Sequence, residues 1–365
     1  MRFLIFGAYD VEYARNRVLR LGLRRLGVDV ESCNMTATRS FVGRYARLLR
    51  RYLKRGVSDA VLVPEFRHKD VPLARLLTCV SGASLVVDPL ISRYDTKVDD
   101  WGSTRRGSLQ ADHNRRIDRA AMRFADLLLC DTPQHAAYFQ ACCRVPPERC
   151  AVVPVGYDDT LFRPLPEPPE APFRVAFFGS YLPLHGVPTI VEAAWLLRAH
   201  GVRWLLVGDG QTFACVRNAG GRGLALEVAP RLAPQALVER LRHAHVLLGV
   251  FGTTPKAARV VPNKVYQGLA LGRALVTADT PALRAFFTPD VHLLAVPAGD
   301  PRALADAILR LRDDRGLRQR LAQAGLRHVQ EHFRPEAVAR LLLQAGTSTL
   351  GWRTGVGLGE APPGF

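Results

Sequence analysis

Short apolar strands alternate with helical periodicity along almost the whole chain, and this alternation restricts the fold more than any other feature. The predicted strands are residues 3–6, 28–31, 60–63, 85–87, 127–130 and 151–153, and then 174–178, 204–207, 225–228, 246–250, 274–277 and 293–296. Helical patterns separate the first six at about 12–26, 38–55, 70–80, 108–124 and 132–141, and three more close the sequence at 301–312, 314–331 and 335–346. Strands joined by helices in this way form parallel sheets, so we predict an α/β, doubly wound fold.

A proline-rich segment divides this alternation into two halves. Five of the ten residues 163–172 are proline, which continues neither a helix nor a central strand. A chain of 365 residues also exceeds what one ordinary core accommodates. We therefore predict an N-terminal domain at 1–163, a linker at 164–172, a second domain at 173–334, a final helix at 335–347 and a flexible tail rich in Gly and Pro at 348–365.

Composition argues against a membrane-spanning protein and against a metalloprotein. No apolar run reaches the roughly 18 residues that a spanning helix needs. The opening apolar segment is too short for a signal peptide, so we expect a cytoplasmic protein. The seven cysteines show no CxxC or Cys/His ligand spacing, so we expect free thiols and no metal site.

The net charge of +17 at pH 7 indicates an anionic partner, unless it reflects only an Arg-rich composition. Nucleic acid, anionic lipid and a phosphorylated substrate are the three classes to consider. No nucleic-acid-binding module is present in the pattern, so we expect no nucleic acid partner.

Three turns in the second half each lead from a buried strand into a helix. They read FFGSYLPLHG at 177–186, LLVGDGQ at 205–211 and PNKVYQGLALG at 262–272. Backbone N–H groups in such turns, with a helix N-terminus behind them, face a diphosphate well. In this order the turns resemble the nucleotide-sugar half of the family-4 (group 1) GT-B glycosyltransferases, and the resemblance extends from the start of the chain to about Gln344.

The resemblance implies two Rossmann-like domains that face a central cleft, with the helix at 335–347 crossing back to the first domain. It implies a glycosyltransferase, of the hexosyl type, that moves a sugar from a nucleoside diphosphate to a hydroxyl with retention. The resemblance implies no cofactor besides the donor substrate. It also implies a role in surface polysaccharide or glycolipid assembly. A GT-B nucleotide-sugar epimerase and a catalytically inactive nucleotide-sugar-binding or scaffold protein remain as alternatives.

The donor site implied by the resemblance lies in the second domain, although the chain departs from the family pattern there. Relatives often carry Arg and Lys at the positions of Ser180 and His185, and a pair of glutamates at those of Arg259 and Gln267. Gln267 can still hydrogen-bond ribose, and Arg259 could bind phosphate or a sugar carboxylate. The predicted donor-binding residues are Gly179, Ser180, His185, Arg259, Asn263, Lys264 and Gln267. The alternative for the last turn is a capped surface helix with a solvated Arg259.

Polar residues follow the predicted strands of the first domain, where they would line the acceptor side of the cleft. Carboxylate and imidazole groups can orient a reacting hydroxyl, so we predict His68, Asp88 and Asp95 as catalytic residues. The acceptor-side residues after the opening strand are Gly7, Tyr9, Arg15 and Asn16. The alternative here is purely structural: Asp10 would cap the first helix, and Arg15 would lie on a solvated face.

The helix predicted between residues 39 and 55 is unlike the others because it carries seven basic residues and no acid. They are Arg39, Arg44, Arg47, Arg50, Arg51, Lys54 and Arg55. Its apolar stripe would face the sheet in any parallel α/β domain, which makes an ordinary solvated helix one interpretation. The other is an anionic membrane surface or a lipid-linked acceptor, with the protein peripheral on the inner face of the membrane.

Overall fold

The computed structural model describes residues 1–35, 40–355 and 357, and these form two compact units. Unit 1 combines Met1–Val155 with the segment from Arg334 onward, and unit 2 is Gly156–Phe333. Unit 2 is therefore inserted, in sequence, between two parts of unit 1.

The first part of unit 1 contains six strands and five helices. They are β1 (Arg2–Gly7), α1 (Ala14–Arg25), β2 (Asp29–Asn34), α2 (Phe41–Tyr52), β3 (Ala60–Val63), α3 (Val71–Ser81), β4 (Ser84–Val87), α4 (Leu109–Phe124), β5 (Leu127–Cys130), α5 (Pro133–Cys143) and β6 (Cys150–Val152). The strand order in the sheet is β2-β1-β3-β4-β5-β6, and every pairing is parallel. The carboxyl ends of these strands therefore share one edge of the sheet.

Unit 2 repeats this plan. Its elements are β7 (Arg174–Phe178), α6 (Val187–Leu196), β8 (Arg203–Val207), α7 (Phe213–Gly221), β9 (Leu226–Ala229), α8 (Pro234–Leu241), β10 (Val246–Leu248), α9 (Asn263–Ala270), β11 (Ala274–Ala278), α10 (Pro281–Arg284), β12 (Leu294–Val296), α11 (Pro301–Asp313) and α12 (Arg315–His332). The strand order is β12-β11-β10-β7-β8-β9, again parallel throughout. The predicted fold class, with two Rossmann-like units, is confirmed.

The last helix, α13 (Pro335–Leu350), returns to unit 1 and packs on α1. The two helices approach so closely that a Cβ atom on Gly22 would lie 1.9 Å from the carbonyl oxygen of Pro335. Beyond α13 the Trp352 ring packs edge-on against Phe3, with ring centroids 5.2 Å apart, and its indole N–H donates to Ser84 Oγ. The helix is therefore part of the unit 1 core.

Alternating residues of β1 enter two different cores, which explains why the sheet of unit 1 is covered on both faces. Phe3 and Ile5 pack with residues of α1 and α13, whereas Leu4 and Phe6 pack with residues of α2 to α5. The inner strands β3, β4 and β5 are consequently almost entirely apolar, whereas the edge strand β2 is partly polar. The apolar runs made the inner strands recognisable in the sequence.

The predicted strands and helices are present, with ends that differ by one to three residues at most positions. The helix predicted at 38–55 is shorter, at Phe41–Tyr52, and residues 36–39, including Arg39, lie outside the described residues. Four single-turn 3-10 helices and one π-helical segment were not predicted. They are His68–Asp70, Pro147–Arg149, Pro183–His185 and Ala257–Arg259, and Asp95–Asp100.

The proline-rich segment is attached to unit 2, whose boundary lies ahead of it at Gly156. The guanidinium of Arg273 donates to the carbonyl oxygens of Leu165 and Pro166, at 3.2 and 2.7 Å. Arg315 forms an ion pair with Glu167 at 3.1 Å. The segment has no helix or strand of its own, yet these contacts hold it against the unit. Among the described helices, none is long and apolar enough to cross a membrane.

Candidate functional site

The glycine turns predicted in the second half come together at the carboxyl edge of the unit 2 sheet. Gly179 directly follows β7 and has a φ of +142°, and a Cβ atom there would lie 2.9 Å from Lys264 Nζ. Gly208 follows β8 with a φ of +135°, and a Cβ atom there would lie 1.9 Å from the carbonyl oxygen of Gly179. Only glycine permits both the conformation and the approach. The turns thus form one structure, with the Lys264 ammonium against it.

Lys264 is the central cation of this structure. Its side chain is buried, and its Nζ has no hydrogen-bond partner within the described residues. The ammonium lies 4.6 Å from the centre of the Phe177 ring, where a cation–π interaction compensates only part of the lost hydration. Burial lowers the pKa of Lys264 to about 7. A phosphate placed beside Nζ would supply the missing partner and restore the charged form.

His185 is a second buried base beside the same turn. A Cβ atom on Gly179 would lie 3.4 Å from its Cε1, and its Nδ1 has no hydrogen-bond partner in the described part of the chain. Burial lowers the pKa of His185 well below its usual value, and the charges of Lys264 and Lys256 lower it further. His185 is therefore neutral near pH 7, and its ring can still donate a hydrogen bond to an anion.

Lys256 is a buried cation that the sequence analysis missed. It immediately precedes the Ala257–Arg259 turn, and its charge lowers the pKa of His185. No carboxylate contributes to the pKa shift of either Lys264 or His185. The only signal in the sequence was a lone lysine between a strand and the Pro-Asn-Lys turn, which is too weak to select it.

The remaining predicted donor residues lie around the start of α9. Asn263 and Lys264 are its first two residues, and no side chain caps its N-terminus, so its first N–H groups are available to an anion. Gln267 is buried on the same helix, and half-buried Arg259 ends the preceding turn. Ser180 is exposed directly after Gly179. The alternative of a capped surface helix is wrong, because α9 is buried nearly throughout.

In unit 1 the predicted residues Arg15 and Asp88 form a buried ion pair. Arg15 Nε lies 2.7 Å from Asp88 Oδ2, and both side chains are almost completely inaccessible. Arg15 also donates to the carbonyl oxygen of Pro154. Burial raises the pKa of Asp88, and Arg15 opposes this rise. The alternative of a solvated Arg15 is wrong, and so is capping by Asp10, because the N-cap residue of α1 is Tyr13.

Glu65, two residues after β3, lies near this ion pair and bonds to Asn16, but it was not selected from the sequence. Asn16 Nδ2 donates to Glu65 Oε1 at 2.8 Å, while Oε2 has no partner among the described residues. Burial, and then the charge of Asp88, raises the pKa of Glu65 well above its usual value. A buried carboxyl group with a raised pKa can act as a proton donor or acceptor near neutral pH.

A carboxylate–histidine pair follows β5 and was also missed. His135 Nδ1 lies 2.6 Å from Asp131 Oδ1, both side chains are buried, and His135 Nε2 has no partner within the described residues. The charges of both groups affect the pKa of Asp88, which places them in the same polar cluster. Asp131 directly precedes Thr132, the N-cap residue of α5, and His135 lies in the first turn of that helix, so the start of the helix brings the two side chains together.

His68 and Asp95 belong to a second polar cluster, organised by Asp118 of α4. Asp118 accepts hydrogen bonds from Ser92 Oγ and from the backbone of Arg93 and Tyr94. His68 Nε2 lies 2.9 Å from the carbonyl oxygen of Ile91 and 3.6 Å from Asp118. The backbone of Asp95 donates to Ser92 Oγ. The structure thus brings Asp88 together with Arg15 and Asn16, and brings His68 together with the Asp95 segment.

The last predicted positions, Gly7 and Tyr9, shape the turn after β1. Gly7 has a φ of +137°, and a Cβ atom there would lie 3.2 Å from Asp70 Oδ2. The same oxygen accepts a hydrogen bond from the backbone of Ala8 at 3.0 Å, and Tyr9 is buried. Gly7 therefore has a structural role that explains its presence. In the described part of the chain, no group of three or more His, Cys, Asp or Glu residues is arranged to hold a metal ion.

Comparisons with family models agree with the two-unit plan. A model described as "Glycosyl transferase 4-like domain" matches residues 5–156, and one described as "Glycosyl transferase-like" matches residues 189–344. No curated protein sequence matches the chain.

Several solved structures share the fold at low sequence identity. Sucrose-phosphate synthase from Thermosynechococcus elongatus is 16% identical with a TM-score of 0.75, over 96% of this chain and 99% of that one. HepE from Anabaena, in complex with UDP-glucose, is 15% identical with a TM-score of 0.73, over 95% and 100%. The lipopolysaccharide outer core galactosyltransferase WaaB is 15% identical with a TM-score of 0.63, over 95% and 99%.

Proposed function

The chain belongs to the group 1, family-4-like glycosyltransferases of the GT-B fold, and from this premise we propose that it transfers a sugar from a nucleoside-diphosphate donor to a hydroxyl acceptor. Unit 2 binds the donor, and unit 1 supplies the acceptor side. The transferred group is a hexose, and transfer retains the anomeric configuration, as in the relatives that the sequence resembles. No cofactor besides the donor substrate takes part.

One observation carries the proposal: the Lys264 ammonium is buried at a glycine turn without a hydrogen-bond partner in the described residues. A buried ammonium without an anion is costly, and a diphosphate removes that cost when it binds. His185 and the open N-terminus of α9 add donors that point toward the same charge. These groups stabilise the leaving diphosphate, which is the negative charge that develops as the glycosidic bond breaks.

In unit 1, Asp88, Glu65 and the His135–Asp131 pair orient the acceptor hydroxyl, while His68 and Asp95 shape the adjoining loop. The leaving phosphate accepts the proton of the attacking hydroxyl on the same face of the sugar, so no protein nucleophile is needed. The departure from the glutamate pair at Arg259 and Gln267 makes this a divergent member that holds its donor without those two carboxylates.

The acceptor belongs to surface polysaccharide or glycolipid assembly, and the enzyme acts on the cytoplasmic face of the membrane as a peripheral protein. The similarity to WaaB, a lipopolysaccharide outer core galactosyltransferase, supports this choice. The net charge of +17 supports an anionic, lipid-linked acceptor as well. UDP-glucose, which HepE binds, is the first donor to test.

Calorimetry with UDP, GDP, ADP and their sugars tests the donor site directly. We expect one nucleotide diphosphate to bind the wild type and to bind Lys264→Ala more weakly, by roughly 1–3 kcal/mol for a charge-assisted contact. Arg217→Ala, an exposed cation on α7 of the same unit, is the matched control and should bind like the wild type. Unchanged affinity in Lys264→Ala would exclude this site.

Product analysis separates the proposal from its alternatives. Incubation with the donor that binds, with and without candidate acceptors, should release the nucleoside diphosphate and form a glycoside. A changed sugar with no released glycoside would identify an epimerase. Binding without any turnover, over the whole set of acceptors, would identify an inactive binding protein.

A further inference from the structure

Helix α2 carries an apolar ridge on its outer side. Val42, Ala46, Leu49 and Leu53 recur every three or four residues and therefore share one side of the helix, and all four are exposed. Val42 is 77% exposed and Leu53 is 72% exposed. Among the residues of α2 only Leu48 is fully buried. The expectation that the apolar stripe faces the sheet is therefore wrong for this side, because Leu48, Tyr45 and Tyr52 alone make the contact with the core.

A basic ridge follows the apolar ridge around the helix. Arg47, Arg50 and Arg51, with Lys54 in the following turn, are exposed and form no ion pair in the described part of the chain. Of the remaining basic residues of this region, the two that the structure describes are paired, Arg44 with Asp70 and Arg55 with Glu31. The helix itself contains no acidic residue. Four cations are thus presented to solvent beside four exposed apolar side chains.

We propose that this surface, defined by Val42, Ala46, Leu49 and Leu53 with Arg47, Arg50, Arg51 and Lys54, docks unit 1 on an anionic lipid bilayer. The apolar ridge enters the boundary between headgroups and acyl chains, and the basic ridge contacts the lipid phosphates. Phe41 and Val57, which are 51% and 77% exposed, add exposed apolar surface before and after this part of the chain.

The combination of the two ridges favours a bilayer over other anionic partners. A nucleic acid would neutralise the basic ridge but would leave the apolar ridge in water. An acidic protein would need its own apolar groove at a matching position. A bilayer offers phosphate charge and an apolar interior a few ångströms apart, which matches the adjacent ridges on one helix. The exposed cations and the exposed apolar side chains together therefore indicate that this surface binds lipid.

The docking depends on unit 1 alone, whereas its use depends on the proposed function, because it would hold the enzyme where lipid-linked acceptors are found. The two statements can fail separately. Vesicle binding without any sugar transfer would support the docking surface and contradict the proposed function. Sugar transfer without vesicle binding would support the proposed function and contradict the docking surface. Vesicle binding is therefore measured with the full chain and without substrate.

Co-sedimentation with phosphatidylcholine vesicles, with and without anionic phosphatidylglycerol, tests the surface at low and high salt. The wild type should bind the anionic vesicles at least about tenfold more tightly than the neutral ones, and part of the binding should survive high salt. The variant Arg47→Gln/Arg50→Gln/Arg51→Gln/Lys54→Gln should lose the preference for anionic vesicles. The variant Val42→Ser/Leu49→Ser/Leu53→Ser should keep the preference but lose the salt-resistant fraction.

Matched controls come from the same unit. Leu76→Ser/Val80→Ser replaces exposed apolar residues of α3, and Arg116→Gln/Arg123→Gln replaces exposed basic residues of α4. Both should bind vesicles like the wild type, and all variants should keep its melting temperature within a few degrees. Wild-type protein that ignores anionic vesicles at low salt would overturn the proposal. So would duplex DNA binding of equal strength that the apolar variant leaves unchanged, since this would assign the surface to nucleic acid.

Discussion

The carboxyl edges of the two sheets both contain buried ionisable groups, but the two edges differ in whether those groups have side-chain partners. In unit 1 three of the buried carboxyl groups have a close side-chain partner: Arg15 for Asp88, Asn16 for Glu65 and His135 for Asp131. In unit 2 the buried bases Lys264 and His185 have no carboxylate that affects their pKa. The same fold thus carries one edge where buried acidic groups have side-chain partners and one where two buried bases have no acidic partner.

This difference indicates where charge enters from outside. A buried ion pair is complete without a ligand, so the edge of unit 1 is preorganised to orient a neutral group such as a hydroxyl. A buried cation without a partner becomes favourable only when an anion arrives. Unit 2 therefore has the properties of a diphosphate site, and the comparison between the units can be tested one edge at a time.

The largest expected effect is a loss of stability when the buried Arg15–Asp88 ion pair of unit 1 is broken. Asp88→Ala would leave the Arg15 guanidinium buried without its partner, which typically costs about 3–5 kcal/mol of unfolding free energy. Urea denaturation followed by tryptophan fluorescence should show this loss. The double variant Arg15→Met/Asp88→Leu, which removes both charges, should recover most of the loss. A double variant as unstable as Asp88→Ala would show that the pair itself is not the cause.

At the edge of unit 2 we expect a smaller change in the free energy of unfolding, and of the opposite sign. Lys264→Met removes a buried charge that has no partner in the described residues, so the free protein should be at least as stable as the wild type. Nucleotide binding should nevertheless weaken by roughly 1–3 kcal/mol, because the charged contact to phosphate is lost. Denaturation and calorimetry on the same sample check both signs. A marked loss of stability without nucleotide would contradict the comparison.

The pH dependence of nucleotide affinity sharpens the same point. The pKa of Lys264 in the free protein is lowered to about 7 by burial, and a bound diphosphate should raise it. Below pH 7 the ammonium is already charged, so affinity should be highest there. Above pH 7 binding requires proton uptake, and affinity should fall by up to about tenfold per pH unit. Calorimetry between pH 7 and pH 9 should show this slope in the wild type and none in Lys264→Met.

The smallest effect is expected for a surface pair. Arg315 lies 3.1 Å from Glu167 and helps to hold the proline-rich segment, but both side chains are about half exposed. Arg315→Gln should change the unfolding free energy by at most about 1 kcal/mol, because water and salt screen such pairs. Its effect can be compared with that of Asp88→Ala in the same denaturation assay. An equal loss in both variants would mean that burial does not decide the strength of these pairs.

The sequence was sufficient for the fold because its signal is local. Most of the strands are short apolar runs, the edge strands β2 and β9 being partly polar, and many turns into a helix contain Gly, Pro or a capping residue. The Pro262-Asn263-Lys264 turn was predictable for the same reason: a strand, a turn and a helix follow one another, and the cation lies at the start of the helix.

The partners of the site residues were not predictable, because they are set by contacts between distant segments. Arg15 and Asp88 are 73 residues apart, and their pairing depends on the positions of β1 and β4 in the sheet. In the sequence Glu65 is one of several charged residues in a loop, and nothing there indicates that it is buried. The exposed ridge of α2 was misjudged because helical spacing alone does not tell which of two sides faces the core.

The return of α13 to unit 1 has a consequence for how the chain folds as it is made. The strands β1 to β6 are synthesised before unit 2, but the sheet face that contains Phe3 and Ile5 is covered only in part, by α1, until Pro335–Leu350 has been synthesised. The intervening insertion, Gly156–Phe333, is complete before that helix exists. At roughly 5–20 residues per second, the nascent first half waits on the order of ten seconds or more with an apolar face in water. During this interval it is a substrate for chaperones, and α13 closes the core of unit 1 only after the whole of unit 2 has been synthesised.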